Sequence, residues 1–380
     1  MVMRTDVKRY KATDTGLNAT LVRGTNIAFL KAILSTGYNE KTVSNATNDG
    51  NFVTLDYGVA HGYVLERVLQ ISGATDPQLN GEHAIIQVTA NTVTIELKAL
   101  PTGLGGLIKT KVAPLGFNLM YEATNLAIFE FQYHGKTKYL RIYETPLYSA
   151  YVNPSVGDGF DPATGLLTGK VYPSTATGTQ VPYRWDFAYN NTATTFGEYP
   201  SIFGTSEGFV IVGQFYPGNL QTIYLYGIQP WYTPFDKLDT PILLCDYLNE
   251  YGAGAAGSGF SMQARLPLVG NVNIQKNESS NEIKNIGFTY LGAPNGNALP
   301  AGLLNFNPIM YCSSIVHLYQ SNQPIGIANG IYRTVTNANT APATTAVIEQ
   351  MDEMRGTKVW LRSLELNNRY VVLDAYQGFD

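Results

Sequence analysis

Between Val43 and Leu97 the chain moves from apolar to polar in short steps, and Gly, Asn and Asp punctuate the runs. Asn51-Phe52-Val53-Thr54-Leu55 alternates, and Ala60-His61-Gly62-Tyr63 follows it. Then come Val68 to Ala74, the turn Leu79-Asn80-Gly81-Glu82, and strands around Ile85–Val88 and Thr92–Ile95. A period of two places successive side chains on opposite faces, so each run offers one face to a core. Short strands in close succession, joined by turns of this kind, predict a small β-barrel.

The remainder of the chain extends this reading. One short helix is predicted over 25–36, with Thr25 or Asn26 as its cap. Ile27, Leu30, Ile33 and Leu34 recur at helical spacing, and Gly37 suits a left-handed stop. A stripe this narrow fits a helix that plugs one end of the barrel. Strands are predicted at 107–112, 125–131 and 139–143, the last two joined by a hairpin with Gly135 at its tip. Residues 153–181 lack periodicity and read as a long loop. Gly208 to Tyr216 is a continuous apolar run that pairs with Gln221–Gly227 through Pro217-Gly218-Asn219. Pro241–Tyr247 fits either a strand or a short helix, Thr344–Glu353 a short helix. Thr357–Leu364 and Tyr370–Asp374 form a closing hairpin.

The expected architecture is mainly β, a small N-terminal β-barrel with one short plugging helix. A larger β-sandwich or barrel-like domain with long loops follows. The divisions are 1–145 for the barrel domain, 146–184 for a linker, and 185–380 for the β-rich C-terminal domain, with a flexible insert at 252–301.

Charge narrows the function classes. Asp, Glu, Lys and Arg make up 14% of the 380 residues, against roughly 25% in a typical soluble protein. Tyr (26 copies) and Gly (37) are abundant. A Tyr-rich, charge-poor chain suits protein–protein contact, because charged groups cost more to desolvate; it also suits strands, which favour Tyr and Thr. A net charge of −4 without a basic stripe gives no case for nucleic acid. Lys109/Lys111 and Lys136/Lys138 alternate as exposed strand faces do. Cys245 and Cys312 sit in apolar runs and read as buried thiols, a single bridge being the alternative. The N-terminal residues carry no secretory signal pattern, and no run reaches the roughly 18 apolar residues of a membrane span.

Chemistry-bearing patterns are sparse. His61, His83, His134 and His317 have no ligand-spaced companions, and His61 reads as a partner for backbone groups at a turn. Gly103-Leu104-Gly105-Gly106-Leu107 precedes a strand, whereas a phosphate cradle needs a helix N-terminus. Asp158/Asp161 and Asp236/Asp239 lie in loops without the framing of a glycosidase pair or a Ca²⁺ loop. These patterns call for no catalytic residue, cofactor or metal. Tyr224, Tyr226, Trp231, Tyr232 and Phe235 form the richest aromatic cluster. It reads as core filling, as a subunit interface, or as a surface on which a host glycan could stack.

The order Ala60-His61-Gly62, Val68 to Ala74, Leu79-Asn80-Gly81 and Ala84 to Val88 resembles a β-barrel module of tailed-bacteriophage structural proteins. Around it the chain is similar to one group of uncharacterised virion proteins. The shared features are a helix ahead of the module, Ala113-Pro114-Leu115-Gly116-Phe117, Thr124-Asn125-Leu126-Ala127 and Tyr139-Leu140-Arg141. Beyond Asn153 the likeness reduces to Trp185, Phe187, Phe209, Ile211 and Gly213, together with the closing hairpin. The resemblance implies a non-enzymatic virion component assembled in the host cytoplasm. Its partners would be copies of itself and other phage structural proteins. A tail or neck-proximal position, as a symmetric oligomer, is the expectation adopted beside the resemblance, since the motifs themselves do not place the protein in the particle. A capsid decoration or cement protein, and a receptor- or glycan-binding tail tip, are the alternatives.

Overall fold

The computed structural model describes residues 5–17, 21, 24–144, 151–171, 185–187, 198–214, 224–229 and 241–244, and, by backbone path and pairing, the strands between 304 and 374. Among the described residues the protein is mainly β with one short helix, as the alternation predicts.

After β1 (Lys8–Lys11) and α1 (Asn26–Lys31) come the barrel strands. These are β2 (Tyr38–Thr42), β3 (Asn45–Asp49), β4 (Phe52–Asp56), β5 (Val68–Ala74), β6 (Gly81–Val88), β7 (Thr92–Glu96) and β8 (Gly106–Val112). Their order is β2-β8-β5-β6-β7-β4-β3. β2 and β3 stand at opposite ends of that order, yet only Val43 and Ser44 separate them in the chain. The Val43 amide donates to the Ile108 carbonyl on β8 (2.9 Å), and the Ser44 amide donates to the Asp56 carbonyl on β4 (2.7 Å). One kinked strand therefore serves both edges and curls the sheet back on itself. β6 is shared in the same way, pairing with β5 and then with β7 across a register shift between Ile85 and Gln87. Val53, Leu55, Val93 and Ile95 are fully buried while their strand neighbours are not. That one-sided burial is what a barrel interior requires.

The next strands are β9 (Asn118–Ala123), β10 (Leu126–Tyr133), β11 (Lys136–Glu144), β12 (Tyr151–Gly157), β13 (Gly159–Asp161), β14 (Leu166–Thr168) and β15 (Trp185–Asp186). After them come β16 (Glu198–Thr205), β17 (Gly208–Gln214), β18 (Tyr224–Gln229) and β19 (Ile242–Leu244). Two five-stranded sheets result, β15-β12-β11-β10-β9 and β1-β16-β17-β18-β19. Ring contacts link them. Trp185 meets Phe209 edge-on at 5.7 Å, and Phe117 stands between Phe131 (5.1 Å) and Phe209 (6.0 Å). The β10–β11 hairpin turns at His134-Gly135, both with positive φ (46° and 72°), the conformation a tight two-residue hairpin needs. The apolar core runs without interruption from the barrel into these sheets.

Several expectations are corrected. Within 153–181, read as an aperiodic loop, residues up to 168 form most of β12 in the second sheet and the separate β13–β14 hairpin. Gly, Asn and Pro hid the alternation there. Lys138, expected on an exposed face, is buried against Asp158 (2.6 Å). Of Pro241–Tyr247, for which strand and short helix were both open, Ile242–Leu244 is a strand, and 245–247 fall outside the described residues. Residues 349–354 are also a strand, where a helix was expected.

The helix extends from α1 through a π turn at Ala32–Thr36, closed by the Gly37 amide on the Ala32 carbonyl (2.9 Å). Its main contacts are with β11 and β12, and those of the π turn are with β9. It thus rests on the second sheet more than across the barrel end. Thr25 makes no side-chain cap. Instead the Glu144 carboxylate accepts from the Gly24 amide (2.6 Å) and from Asn26 Nδ2 (2.7 Å). At the other end, amides of Leu115, Gly116 and Phe117 donate to the Ile33 and Leu34 carbonyls, meeting the demand every helix end makes.

The C-terminal strands are β20 (Leu304–Asn307), β21 (Met310–Ser314), β22 (His317–Gln320), β23 (Gln323–Ile327), β24 (Ile331–Thr336), β25 (Glu349–Met354), β26 (Thr357–Leu364) and β27 (Arg369–Asp374). They form a six-stranded sheet, β20-β21-β24-β27-β26-β25, and a β22–β23 hairpin. The closing hairpin expected at the C-terminal end is β26–β27, with Leu364 opposite Arg369.

Candidate functional site

The residues that mark the barrel in sequence act as fasteners. His61 is 1% exposed. Its Nδ1 accepts from the Tyr63 amide (2.9 Å), so Nε2 carries the proton and donates to the Thr89 carbonyl (3.1 Å). Tyr57 and Tyr63 pack on the imidazole, and both hydroxyls reach Thr110 Oγ1 (3.0 and 2.9 Å). Burial pushes the Tyr57 hydroxyl up to about 12, against the Thr110 hydrogen bond. Asn80 mimics a strand partner for Ala74, accepting from its amide (3.0 Å) and donating to its carbonyl (2.9 Å). Gly73 (φ 78°) lets β5 and β8 approach so closely that a Cβ there would stand 2.2 Å from the Leu107 carbonyl oxygen.

Ionic contacts clasp β1 and the turn after it to the barrel. Lys8, buried, donates to Glu82 Oε1 (2.7 Å) and the Pro114 carbonyl, and Arg9 pairs with Glu66. Arg67 holds Asp14 in a two-pronged contact (2.7 and 2.8 Å), and Tyr38 Oη donates to the same carboxylate (2.6 Å). Burial alone would push Asp14 upward. The Arg67 hydrogen bonds and charge, with Tyr38 and the Lys11 amide, outweigh it and hold the carboxyl below its ordinary value. Charges are few in this chain, and many of them are spent here.

A polar cleft of about 520 Å³ lies on the barrel wall, lined by Thr5, Asp6, Gln78, Glu82, His83 and Lys98 among others. Glu82 is already engaged by Lys8, and His83 Nε2 donates to the Leu79 carbonyl (3.1 Å). Burial pushes the His83 imidazole below its ordinary value. Among the described residues no group of three or more His, Cys, Asp or Glu is placed to hold a metal ion, and no helix is long and apolar enough to cross a membrane.

Large apolar side chains are exposed at both ends of the barrel. Phe52 and Leu100 lie where β3–β4 and β7–β8 are joined, and Leu107 (69% exposed) is the second residue of β8; Val59, Val64 and Leu65 lie on the β4–β5 loop at the opposite end. Of the residues expected to form an interface, Tyr226 is buried in the core of its own chain, on β18. Tyr224 lies on the same strand, and Trp231, Tyr232 and Phe235 fall outside the described residues. Asp158 is taken by Lys138 and the Lys170 amide, and Asp161 by the Ala163 amide and Thr164 Oγ1. Neither carboxylate is arranged around an ion. Asp236, Asp239, Cys245 and the 252–301 insert fall outside the described residues, and Cys312 lies on β21.

The clasp escaped the sequence reading, because its partners are more than fifty residues apart in the chain. The one available signal is a charged residue inside an alternating strand, as at Lys8 in β1.

Compared with protein-family models, curated proteins and solved structures, the chain matches none.

Proposed function

We propose that the protein is a structural component of a tailed-bacteriophage virion, in a tail or neck-proximal position, where it assembles as a symmetric oligomer and binds neighbouring virion proteins. The ordered run of motifs from Ala60 to Arg141 carries the virion part of this reading through its resemblance to phage structural modules. Two features of the fold support it. The curled barrel, fastened by His61, Asn80 and the Arg67–Asp14 clasp, is a rigid platform. Its two ends present Phe52, Leu100, Leu107, Val59, Val64 and Leu65 to solvent, apolar surface that contact with a neighbour would bury. Function here means binding, driven by apolar burial on a charge-poor surface.

Gold labelling of the protein in intact particles tests the reading directly. Label in a ring on the tail axis or at the neck is the expected result. Label spread over the head would replace the reading with a decoration protein, and particles without the protein would end the virion reading altogether.

A further inference from the structure

One charged side chain in the second sheet has no counter-charge. Arg141, on β11, is 4% exposed, yet among the described residues no carboxylate lies within ion-pair reach of it. Its Nε donates to the Gly165 carbonyl (3.0 Å), its Cζ lies 5.5 Å from the centre of the Tyr143 ring, and Nη1 is buried with no hydrogen-bond partner. Directly across β11–β12 stands Ser155, fully buried, whose Oγ also lacks a partner. Two orphaned polar groups on adjacent strands are rare in a folded protein, because each forfeits its hydration without replacement. Burial pushes the guanidinium down from its ordinary value, with Tyr143 opposing.

Nearby acids are committed elsewhere. Asp158 is held by Lys138, and Glu130 accepts from Tyr139 Oη (3.1 Å) and Asn118 Nδ2 (3.3 Å). Over the site folds the β13–β14 hairpin, which pairs with no other strand. Phe160 leans on Tyr121 and Tyr139, and Gly165 lies so close to Tyr121 and Leu126 that a Cβ would meet them below 3 Å. The Gly165 carbonyl occupies one donor of the arginine fork and leaves the rest.

We propose that Arg141 and Ser155 form a binding site for a single carboxylate group, which enters beneath the β13–β14 hairpin. One guanidinium and one hydroxyl match a planar monoanion: the nitrogens donate to its oxygens, and the serine donates to one of them. A phosphate dianion would need a second cation, and the neighbouring Lys138 is already paired. The carboxylate can come from a free small acid or from an acidic side chain of another polypeptide. The proposal is independent of the virion reading.

The test uses the full chain, with thermal midpoints measured in sodium acetate and in sodium chloride at equal ionic strength. A saturable upward shift of a few degrees in acetate is expected for the wild type, since a ligand that binds only the folded state stabilises it. Arg141→Met should lose the shift, and Ser155→Ala should reduce it. Hydrogen exchange of the wild type supplies a readout that needs no variant: acetate should change exchange at 159–168 and leave the barrel strands unaltered. An acetylated, amidated Gly-Asp-Gly peptide, compared with Gly-Asn-Gly, separates the two sources. A stronger response to the Asp peptide than to acetate assigns the site to a polypeptide partner, and a response to acetate alone assigns it to a small acid. No difference between acetate and chloride in either measurement, or an equal response in Arg141→Met, would overturn the proposal.

Discussion

At the scale of single residues the glycines separate two effects that sequence alone merges. Gly73 and Gly50 both have positive φ (78° and 60°), but a Cβ at Gly50 meets nothing within 4 Å, whereas at Gly73 it runs into the Leu107 carbonyl. Gly50→Ala should therefore cost only the left-handed penalty, about 1 kcal/mol. Gly73→Ala should cost at least about 3 kcal/mol, because β5 and β8 must also part. Urea unfolding of the two variants measures the difference, and equal losses would mean that β8 yields freely. Asn80→Ala should cost about 1–2 kcal/mol through the two lost bonds to Ala74. The turn glycines and His61 were legible in the sequence as backbone devices. The roles of Lys138 and Arg141 inside β11, and of Arg67 just ahead of β5, were not, because a lone charge names no partner.

At the scale of elements, the clasp joins β1 and its following turn to the barrel through Asp14 and Arg67. Breaking a buried pair leaves the other charge stranded, so Asp14→Asn should destabilise by about 3–5 kcal/mol. The same group sets a pH dependence. Because the Asp14 carboxyl is held below its ordinary value when folded, its contribution is complete above the unfolded carboxylate value of about 3.9. It is lost as pH falls from there through the folded value. Asp76 acts in the same direction: amides of Gln78, Thr102 and Gly103 and the Thr102 hydroxyl hold it low. Denaturant midpoints from pH 6 down to pH 2 should fall steeply below about pH 4, and less steeply in Asp14→Asn. A parallel profile in the variant would remove Asp14 from the account. Strands were legible where alternation or an apolar run marks them, as at β4, β5, β7, β10 and β17, but not at β2, β3, β9 and β16. They were missed at β12–β14, where Asn153, Pro154 and three glycines break the pattern, and at β25, whose Gln, Met and Glu residues also suit a helix.

At the scale of the whole molecule, exposed apolar residues at the barrel ends set the expectation for assembly. Leu107→Asp changes a residue 69% exposed, so the folded chain should keep its thermal midpoint to within a few degrees. Sedimentation should show fewer subunits per particle if that end is the contact. Unchanged association would move the contact away from β8. The β10–β11 hairpin was legible because its partners are close in the chain; of the barrel only the strand pattern was, since β2 pairs Tyr38 with Val112 on β8. The joining of β1 to β16 was not, since Lys8 pairs with Gly204 across the entire barrel. This pairing has a consequence for the order in which the protein is made. β1 leaves the ribosome before every barrel strand but cannot be zipped into its sheet until β16 follows, many seconds later at ordinary rates of synthesis. Through that interval it is an unpaired strand, free to take β16 from another chain. Where several copies are made side by side, the same register that completes one chain can link two.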